Sequence, residues 1–174
     1  MAATLLLTQQ QIQEGVTELA AQIAEGFPEG EIPIVCVDMA ARRFSADLAA
    51  LLERDHGRFC RITHVQPKDP DPIPEHVLRD YNLVVDTLFD TGRTFQLLQA
   101  IPGMRTTLCV KADIDPRLWR LPEWWAYLVP NAYIYGYGLD DSDGLSRDLD
   151  DILTDEPLPA GARVVSRIEV KTPI

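Results

Sequence analysis

The chain has 174 residues, of which 46% are hydrophobic and 25% charged, a length and composition that predict one globular domain with a sizeable core. Its formal net charge of -11 at pH 7 argues against nucleic-acid binding, because an acidic surface repels polyphosphate backbones. No apolar run approaches the roughly 18 residues that cross a membrane, and no signal-peptide pattern opens the chain. We therefore expect a single cytoplasmic domain over residues 1–174, without membrane or nucleic-acid partners.

The first third of the chain alternates helical and strand-like patterns. Thr8 and Gln11 have the spacing of a helix capping box, and the helical periodicity that follows them ends near Gly26. The continuous apolar run 32–37 predicts a buried parallel strand, and the alternating run 59–65 predicts a strand with one wetter face. A second helical pattern lies between these two strands.

The rest of the chain continues this alternation. Segment 66–74 contains four prolines, which predict an exposed loop. The remaining predicted elements are strands at 83–86, 106–110, 132–137 and 163–170, a short helix at 145–153, and an irregular segment carrying Trp119, Trp124 and Trp125. Strands that alternate with helices predict an α/β fold, with a mostly parallel twisted sheet flanked by helices.

The cysteines and histidines show no metal-binding pattern. Cys36, Cys60 and Cys109 each lie in an apolar strand-like run, and no Cys-x-x-Cys pair occurs. The three histidines are scattered along the chain. We expect the cysteines to be buried free thiols that pack as small hydrophobic side chains.

Residues 83–94 are the most informative segment. An apolar run reaches Asp86, and Asp90 then opens the sequence Asp-Thr-Gly-Arg-Thr before a helical pattern begins. Gly92 lets the backbone approach a ligand closely, while backbone N–H groups and two threonine hydroxyls suit a phosphate monoester. The acidic side chains suit ribose hydroxyls, a metal ion or proton transfer. This combination predicts a phosphoribosyl site, although a Thr-Gly turn at a strand–helix junction can also be purely structural.

Three segments together resemble a known family. Residues 85–94 look like the phosphoribosyl-pyrophosphate signature of type I phosphoribosyltransferases. Residues 129–140 are similar to the purine-binding strand of the hypoxanthine-guanine subfamily, and residues 37–48 align with its first loop and helix. The resemblance covers nearly the whole chain in the right order. It implies the type I phosphoribosyltransferase fold, with a small hood built from the terminal regions.

The resemblance also implies roles for matching residues in chemistry and base binding. Asp90 stands at the position of the general base or acid near the purine N7, and it is the implied catalytic residue. Lys111 would face the exocyclic oxygen of a 6-oxopurine, Tyr133 would stack on the base, and Ile134 would offer backbone groups. Asp140 would hold Mg²⁺, the implied cofactor, through pyrophosphate.

Two further groups of residues would bind the rest of the substrate. The implied phosphate- and ribose-binding group, in which Asp86 holds ribose hydroxyls, consists of Asp86, Thr87, Thr91, Gly92, Arg93 and Thr94. The implied pyrophosphate group consists of Ala40, Ala41, Arg42 and Arg147. The implied partners are phosphoribosyl pyrophosphate, a nucleobase or nucleoside monophosphate, and further copies of the chain in a homo-oligomer.

The sequence departs from the family pattern at three places. Thr87 replaces the second acid of the acidic pair. Met39-Ala40-Ala41 stands where the family has Lys-Gly-Gly or Arg-Gly-Gly, and Arg42 and Arg43 follow it. The short segment 66–74 replaces a long lid that excludes water from the reacting centre. These departures predict slow turnover with phosphoribosyl pyrophosphate.

The sequence therefore favours one function and leaves two alternatives open. The favoured function is Mg²⁺-dependent transfer of a phosphoribosyl group to a nucleobase, a 6-oxopurine, with release of pyrophosphate. The first alternative is a weak or inactive homologue that binds a nucleotide in a regulatory role. The second is a transferase for an unusual acceptor.

Overall fold

The computed structural model of the protein describes residues 3–67, 73–114, 121–141 and 143–167. The described elements in chain order are β1 (Thr4–Leu7), α1 (Gln9–Gly26), β2 (Ile32–Val37), α2 (Arg42–His56), β3 (Cys60–Val65), α3 (Glu75–Arg79), β4 (Asn82–Phe89), α4 (Arg93–Leu97), β5 (Gly103–Lys111), β6 (Trp124–Val129), β7 (Ile152–Thr154) and β8 (Val165–Ser166). Among these residues no helix has the length and apolar character needed to span a membrane.

Six strands form the main sheet in the order β3-β2-β4-β5-β6-β8. The first five strands run parallel, and β8 pairs antiparallel with β6. The chain passes from β2 outward to β3 and then returns to the other side of β2 as β4. The strand order therefore switches direction between β2 and β4, and α/β sheets bind ligands in the crevice outside the strand ends at such a point.

A separate small sheet is formed by β1 and β7, which pair antiparallel. It joins the N-terminal strand to a segment near the C-terminus, as the expected hood requires. The fold class is thus confirmed: an α/β fold with a mostly parallel sheet and flanking helices.

Hydrophobic side chains cover both faces of the main sheet. On one face Leu19 of α1 and Phe44 of α2 are fully buried against Ile34 and Leu83 of the sheet. The other face carries a second cluster, in which Phe95 of α4 packs with neighbouring valines. The capping box at the start of α1 is confirmed, since the Thr8 side chain accepts from the Gln11 N–H at 3.2 Å. The helices are therefore held in place by burial, and the strand ends are left to form the site.

Three sequence-based assignments in the second half of the chain are wrong. The predicted helix at 145–153 is a series of turns that ends in β7, because Ile152 is buried in pairing with the distant β1 while Leu145 is exposed. The predicted strand at 132–137 makes only isolated bridges at Tyr135 and Gly136. The segment around Trp124 is a regular strand, β6, whose neighbouring prolines bound it instead of interrupting it.

Other assignments need smaller adjustments. The predicted final strand is described only as β8, and Trp119 and residues 168–170 lie outside the described residues. All three cysteines are free, but Cys60 is only half-buried, whereas the other two are buried as expected. These changes leave the order of strands around the switch point unaffected.

Candidate active site

Two loops meet at the switch point between β2 and β4. The signature loop (residues 90–94) follows β4, and the pyrophosphate loop (residues 38–41) follows β2. A cavity of about 560 Å³ opens at the signature loop, and Asp86, Leu88 and Pro67 line it together with that loop. Its volume lies in the range of small-molecule sites.

The signature loop is shaped to surround an anion. Gly92 has a φ of 74°, the left-handed region in which a side chain is disfavoured, and this conformation turns the chain into α4. The Arg93 N–H donates to the Thr91 hydroxyl at 3.4 Å, and Thr94 lies half-buried beside them. The Arg93 side chain is exposed, and its guanidinium has no carboxylate partner in the described part of the chain. The loop thus offers backbone donors, hydroxyls and an unpaired positive charge.

The two acids of the signature lie in different surroundings. Asp86 is buried, and its carboxylate accepts from the Thr87 N–H at 2.7 Å. Burial raises the pKa of Asp86 from an ordinary 3.8 to about 7, against the opposing effect of hydrogen bonds from the backbone N–H groups of Thr87 and Leu88. Asp90 is exposed at the mouth of the cavity. The site therefore combines a buried acid whose pKa is raised with an acid that is exposed to solvent.

Thr87 faces away from the cavity lining. Its side chain is fully buried, and its hydroxyl donates to the Ala40 carbonyl oxygen at 2.8 Å. A residue that the resemblance placed in the ribose- and phosphate-binding group thus contacts the pyrophosphate loop. Sequence reasoning missed this contact, which joins residues 47 positions apart.

Within the pyrophosphate loop, Ala41 is fully buried and precedes α2. Arg42 donates to both carboxylate oxygens of Asp38 at 2.6 Å, and His64 Nδ1 lies 3.1 Å from the same carboxylate. These hydrogen bonds, the one from Arg42 first, lower the pKa of Asp38. Arg42, expected in the pyrophosphate group, is therefore already engaged by an acid.

The two other arginines of this region are paired as well. Arg43 donates to the carbonyl of Leu149 at 3.0 Å and to the Asp150 carboxylate. Arg147 forms an ion pair with Asp140. Each arginine near the pyrophosphate loop thus has a carboxylate partner, unlike Arg93 in the signature loop.

One oxygen donor in the site is suited to a cation. The Oδ1 atom of Asp140 is buried and has no hydrogen-bond partner among the described residues, while its other oxygen contacts Arg147. An unpaired buried carboxylate oxygen fits Mg²⁺, which prefers hard oxygen ligands. A second set, Cys36, Asp38 and His64, has ligand atoms within 4.8 Å of one another. There the Arg42 guanidinium already occupies both oxygens of Asp38.

The expected base-binding residues gather beyond the end of β5. Lys111 is buried, and its ammonium donates to the carbonyl of Ala132. Tyr133 is half-exposed, with its hydroxyl donating to the Asp140 carbonyl at 2.8 Å. Ile134 is buried next to it. The base-binding and metal-binding candidates are therefore brought together, but they lie outside the lining of the 560 Å³ cavity.

Glu156 is a further residue near the base-binding candidates that sequence reasoning missed. Its carboxylate accepts from the Tyr133 N–H at 2.9 Å. No local pattern announces this contact, because it depends on the turns that replace the expected helix at 145–153. Glu156 fixes the backbone of the residue expected to stack on the base.

Comparisons with known proteins support the fold described above. No profile of a known protein family matches the chain. The curated hypoxanthine-guanine-xanthine phosphoribosyltransferase of Tritrichomonas foetus is 29% identical over 152 residues, which span 78% of this chain and 82% of that protein. A solved hypoxanthine-guanine-xanthine phosphoribosyltransferase superposes with a TM-score of 0.72 and 27% identity, covering 90% of this chain and 94% of that one.

A second solved structure contains a bound product. The hypoxanthine phosphoribosyltransferase of Trypanosoma cruzi, in complex with IMP, superposes with a TM-score of 0.72 and 23% identity, covering 88% of this chain and 94% of that one. The fold and the signature loop define the class: this chain has the fold of the type I phosphoribosyltransferases. Within that class its curated and structural relatives are of the hypoxanthine-guanine type, which confirms the resemblance read from residues 85–94 and 129–140.

Proposed function

We propose that the protein transfers a phosphoribosyl group from phosphoribosyl pyrophosphate to a 6-oxopurine, with Mg²⁺ and release of pyrophosphate. The observation that carries this proposal is the signature loop, which keeps the family sequence and opens on a 560 Å³ cavity beside Asp86. The relatives named above, which are phosphoribosyltransferases for hypoxanthine, guanine or xanthine, support the same reaction. The cytoplasmic location expected from the sequence and the homo-oligomer implied by the resemblance remain predictions.

In this proposal the signature loop binds the 5′-phosphate, and Asp86 accepts hydrogen bonds from ribose hydroxyls. The purine N9 forms a bond to C1 of the ribose while the bond from C1 to the pyrophosphate oxygen breaks, and the electron pair leaves with pyrophosphate. Asp90 takes up the proton that the purine loses at N7. Mg²⁺, which Asp140 would help to hold through pyrophosphate, neutralises charge on the leaving group when it is bound.

Lys111 would select the base. Its ammonium has three hydrogens and no acceptor, so it can donate to a 6-oxo group but gains nothing from a 6-amino group. Tyr133 is half-exposed, which leaves its ring available to stack on the purine. We therefore expect hypoxanthine, guanine or xanthine to be used in preference to adenine.

A second candidate function is supported by the arginine pairs. Arg42, Arg43 and Arg147 each contact a carboxylate, so an incoming pyrophosphate must compete with Asp38, Asp150 and Asp140. A homologue that binds a nucleoside monophosphate without turnover needs none of these arginines to be free. This alternative keeps the signature loop and the base-binding residues in the same roles.

Pyrophosphate release separates the two candidates. The full chain is incubated with phosphoribosyl pyrophosphate, Mg²⁺ and one of hypoxanthine, guanine, xanthine or adenine, and a reaction without base is the control. We expect slow release that depends on a 6-oxopurine. If calorimetry shows binding of IMP but no base releases pyrophosphate, the transferase proposal fails and the binding function is supported. Equal release with adenine would contradict the role given to Lys111.

A further inference from the structure

The carbonyl of Ala40 is held from two sides. The Thr87 hydroxyl donates to it at 2.8 Å from β4. Gly138 approaches it from the turn that leads to Asp140, so closely that a Cβ on Gly138 would lie 2.5 Å from the Ala40 oxygen. The centre of the pyrophosphate loop is therefore fixed against two other parts of the site.

The hydrogen bonds of the loop show what Thr87 contributes. The Ala41 N–H donates to the Val37 carbonyl at 3.1 Å, and the Arg42 N–H donates to the Met39 carbonyl at 3.2 Å. The Ala41 carbonyl accepts from the first turns of α2. All of these bonds are local. At the start of the loop the Asp38 N–H donates to the Val65 carbonyl of β3 at 2.9 Å. Among the described residues, the bond from Thr87 to Ala40 is the one that ties the centre of the loop to β4.

A carboxylate at position 87, as in the family pattern, could not make this bond. An ionised carboxylate only accepts hydrogen bonds, so it would face the Ala40 carbonyl oxygen in a buried place with no donor between them. The loss of the second acid and the loss of the two glycines therefore belong together. Ala40 and Ala41 give the loop less conformational freedom than glycines would, and Thr87 supplies the donor that holds the resulting conformation.

We propose that Thr87 is a positioning residue for the pyrophosphate loop, which it holds through the Ala40 carbonyl. The proposal rests on the proposed transferase function, because it assigns the loop to the pyrophosphate of the donor. The loop is then ordered before phosphoribosyl pyrophosphate arrives, so its ordering costs less conformational entropy on binding. We infer that the ordered loop offsets the weaker pyrophosphate binding expected from arginines that are already paired with acids.

Four variants test the proposal. Thr87→Val keeps the shape and removes the donor, Thr87→Ser keeps the donor, and Thr87→Asp restores the family acid. Thr106→Val is the matched control, because Thr106 is also buried in the sheet but its hydroxyl has no hydrogen-bond partner among the described residues. We expect Thr87→Val to raise KM for phosphoribosyl pyrophosphate roughly tenfold, the effect of one net hydrogen bond, with kcat and IMP affinity little changed.

Thr87→Ser should restore KM, and Thr87→Asp should raise it at least as much as Thr87→Val does. If Thr87 does not position the loop and the site only lacks the family acid, Thr87→Asp should lower KM for phosphoribosyl pyrophosphate and Thr87→Val should leave it unchanged. Either of those results overturns the proposal. A fall in IMP affinity that matches the rise in KM would also overturn it, because IMP carries no pyrophosphate.

Hydrogen exchange tests the proposal without turnover. In Thr87→Val the amides of Ala41 and Arg42 should exchange roughly tenfold faster, because the bond to Ala40 that holds them is lost. The amide of Phe27, which caps the end of α1, should be unchanged. If the wild type releases no pyrophosphate but these two amides respond as expected, the transferase function fails while Thr87 keeps its role in the loop. Unchanged exchange at Ala41 and Arg42 overturns that role.

Discussion

The two loops at the switch point follow neighbouring strands, yet they are built in opposite ways. The signature loop after β4 keeps the family sequence, opens on a cavity and carries Arg93, which has no acidic partner among the described residues. The pyrophosphate loop after β2 has lost its glycines, and Arg42 beside it is paired with Asp38. In the proposed function, the 5′-phosphate of phosphoribosyl pyrophosphate thus meets Arg93 in the signature loop. Its pyrophosphate meets the ordered backbone of the pyrophosphate loop.

The difference concerns the cost of bringing an anion to each loop. In the proposed function Arg93 binds a phosphate without leaving any partner that the described residues provide. Arg42 must first leave a carboxylate that it contacts through two hydrogen bonds, so the exchange gains little. The chain has a net charge of -11. We infer that the proposed binding of pyrophosphate would depend on Mg²⁺ and on backbone N–H groups more than on arginine.

The largest effect is expected at Asp90, the exposed acid of the signature loop. Asp90→Asn should lower kcat by roughly 10²–10⁴-fold, the usual contribution of a positioned acid or base, because the amide cannot take up the purine proton. IMP affinity should stay the same, and calorimetry measures it. Asp55→Asn, on the exposed side of α2, is the matched control. An equal loss in both variants would remove the chemical role of the signature loop.

Asp86 of β4 and Asp38 of the pyrophosphate loop, two acids with buried carboxylates, should give opposite pH dependences. Because the pKa of Asp86 is raised to about 7, its contribution to stability is full below an ordinary aspartate pKa and is lost as the pH rises to about 7. As the pH rises from about 4 to about 7, the free energy of unfolding of Asp86→Asn should therefore increase relative to that of the wild type. At 1.36 kcal/mol per pKa unit, this relative increase is at most about 4 kcal/mol.

Asp38 has a lowered pKa, so its contribution is present above an ordinary aspartate pKa and is lost as the pH falls. Asp38→Asn should consequently be less stable than the wild type near neutral pH, with the difference shrinking in acid. Chemical denaturation at several pH values measures both differences. For each variant, the difference in unfolding free energy from the wild type is followed as a function of pH. If this difference changes with pH in the same direction for Asp86→Asn and Asp38→Asn, the two acids do not differ in their electrostatics.

The smallest effect compares the two arginines directly. Arg93→Ala should weaken IMP binding about fivefold, since an exposed charge contact is worth up to about 1 kcal/mol, and it should reduce the dependence of binding on salt. Arg42→Ala should leave IMP binding unchanged. Calorimetry at low and high ionic strength measures both variants. If they weaken binding equally, Arg42 is not held by Asp38 in solution.

What the sequence predicts well in this protein is local. The signature loop depends on one strand, one left-handed glycine and one helix start, all within a dozen residues, so the pattern of residues 83–94 predicts it. The resemblance to the family implied the type of fold and the hood, which periodicity alone does not give.

What could not be predicted depends on distant contacts. The hydroxyl of Thr87 meets Ala40 only because β2 and β4 are neighbours in the sheet. Leu149 and Ile152 have a helical spacing, but pairing with β1 at the other end of the chain turns the second of them into a strand residue. The isolated bridge of Tyr135 with Leu153 likewise replaces a regular strand. In each case a tertiary contact overrides a local preference.

The turn that presses on Ala40 also limits how this protein can change over evolutionary time. Gly136, Tyr137 and Gly138 have φ angles of 95°, 50° and 93°, and a Cβ on Gly136 would lie 2.0 Å from the Asp151 carbonyl oxygen. Replacing either glycine requires the backbone of another segment to move at the same time. Single substitutions of Gly136 or Gly138 are therefore expected to destabilise this turn. The ring of Tyr133, which we propose stacks on the base, is half-exposed, so we expect new base preferences to arise there more easily than along this turn.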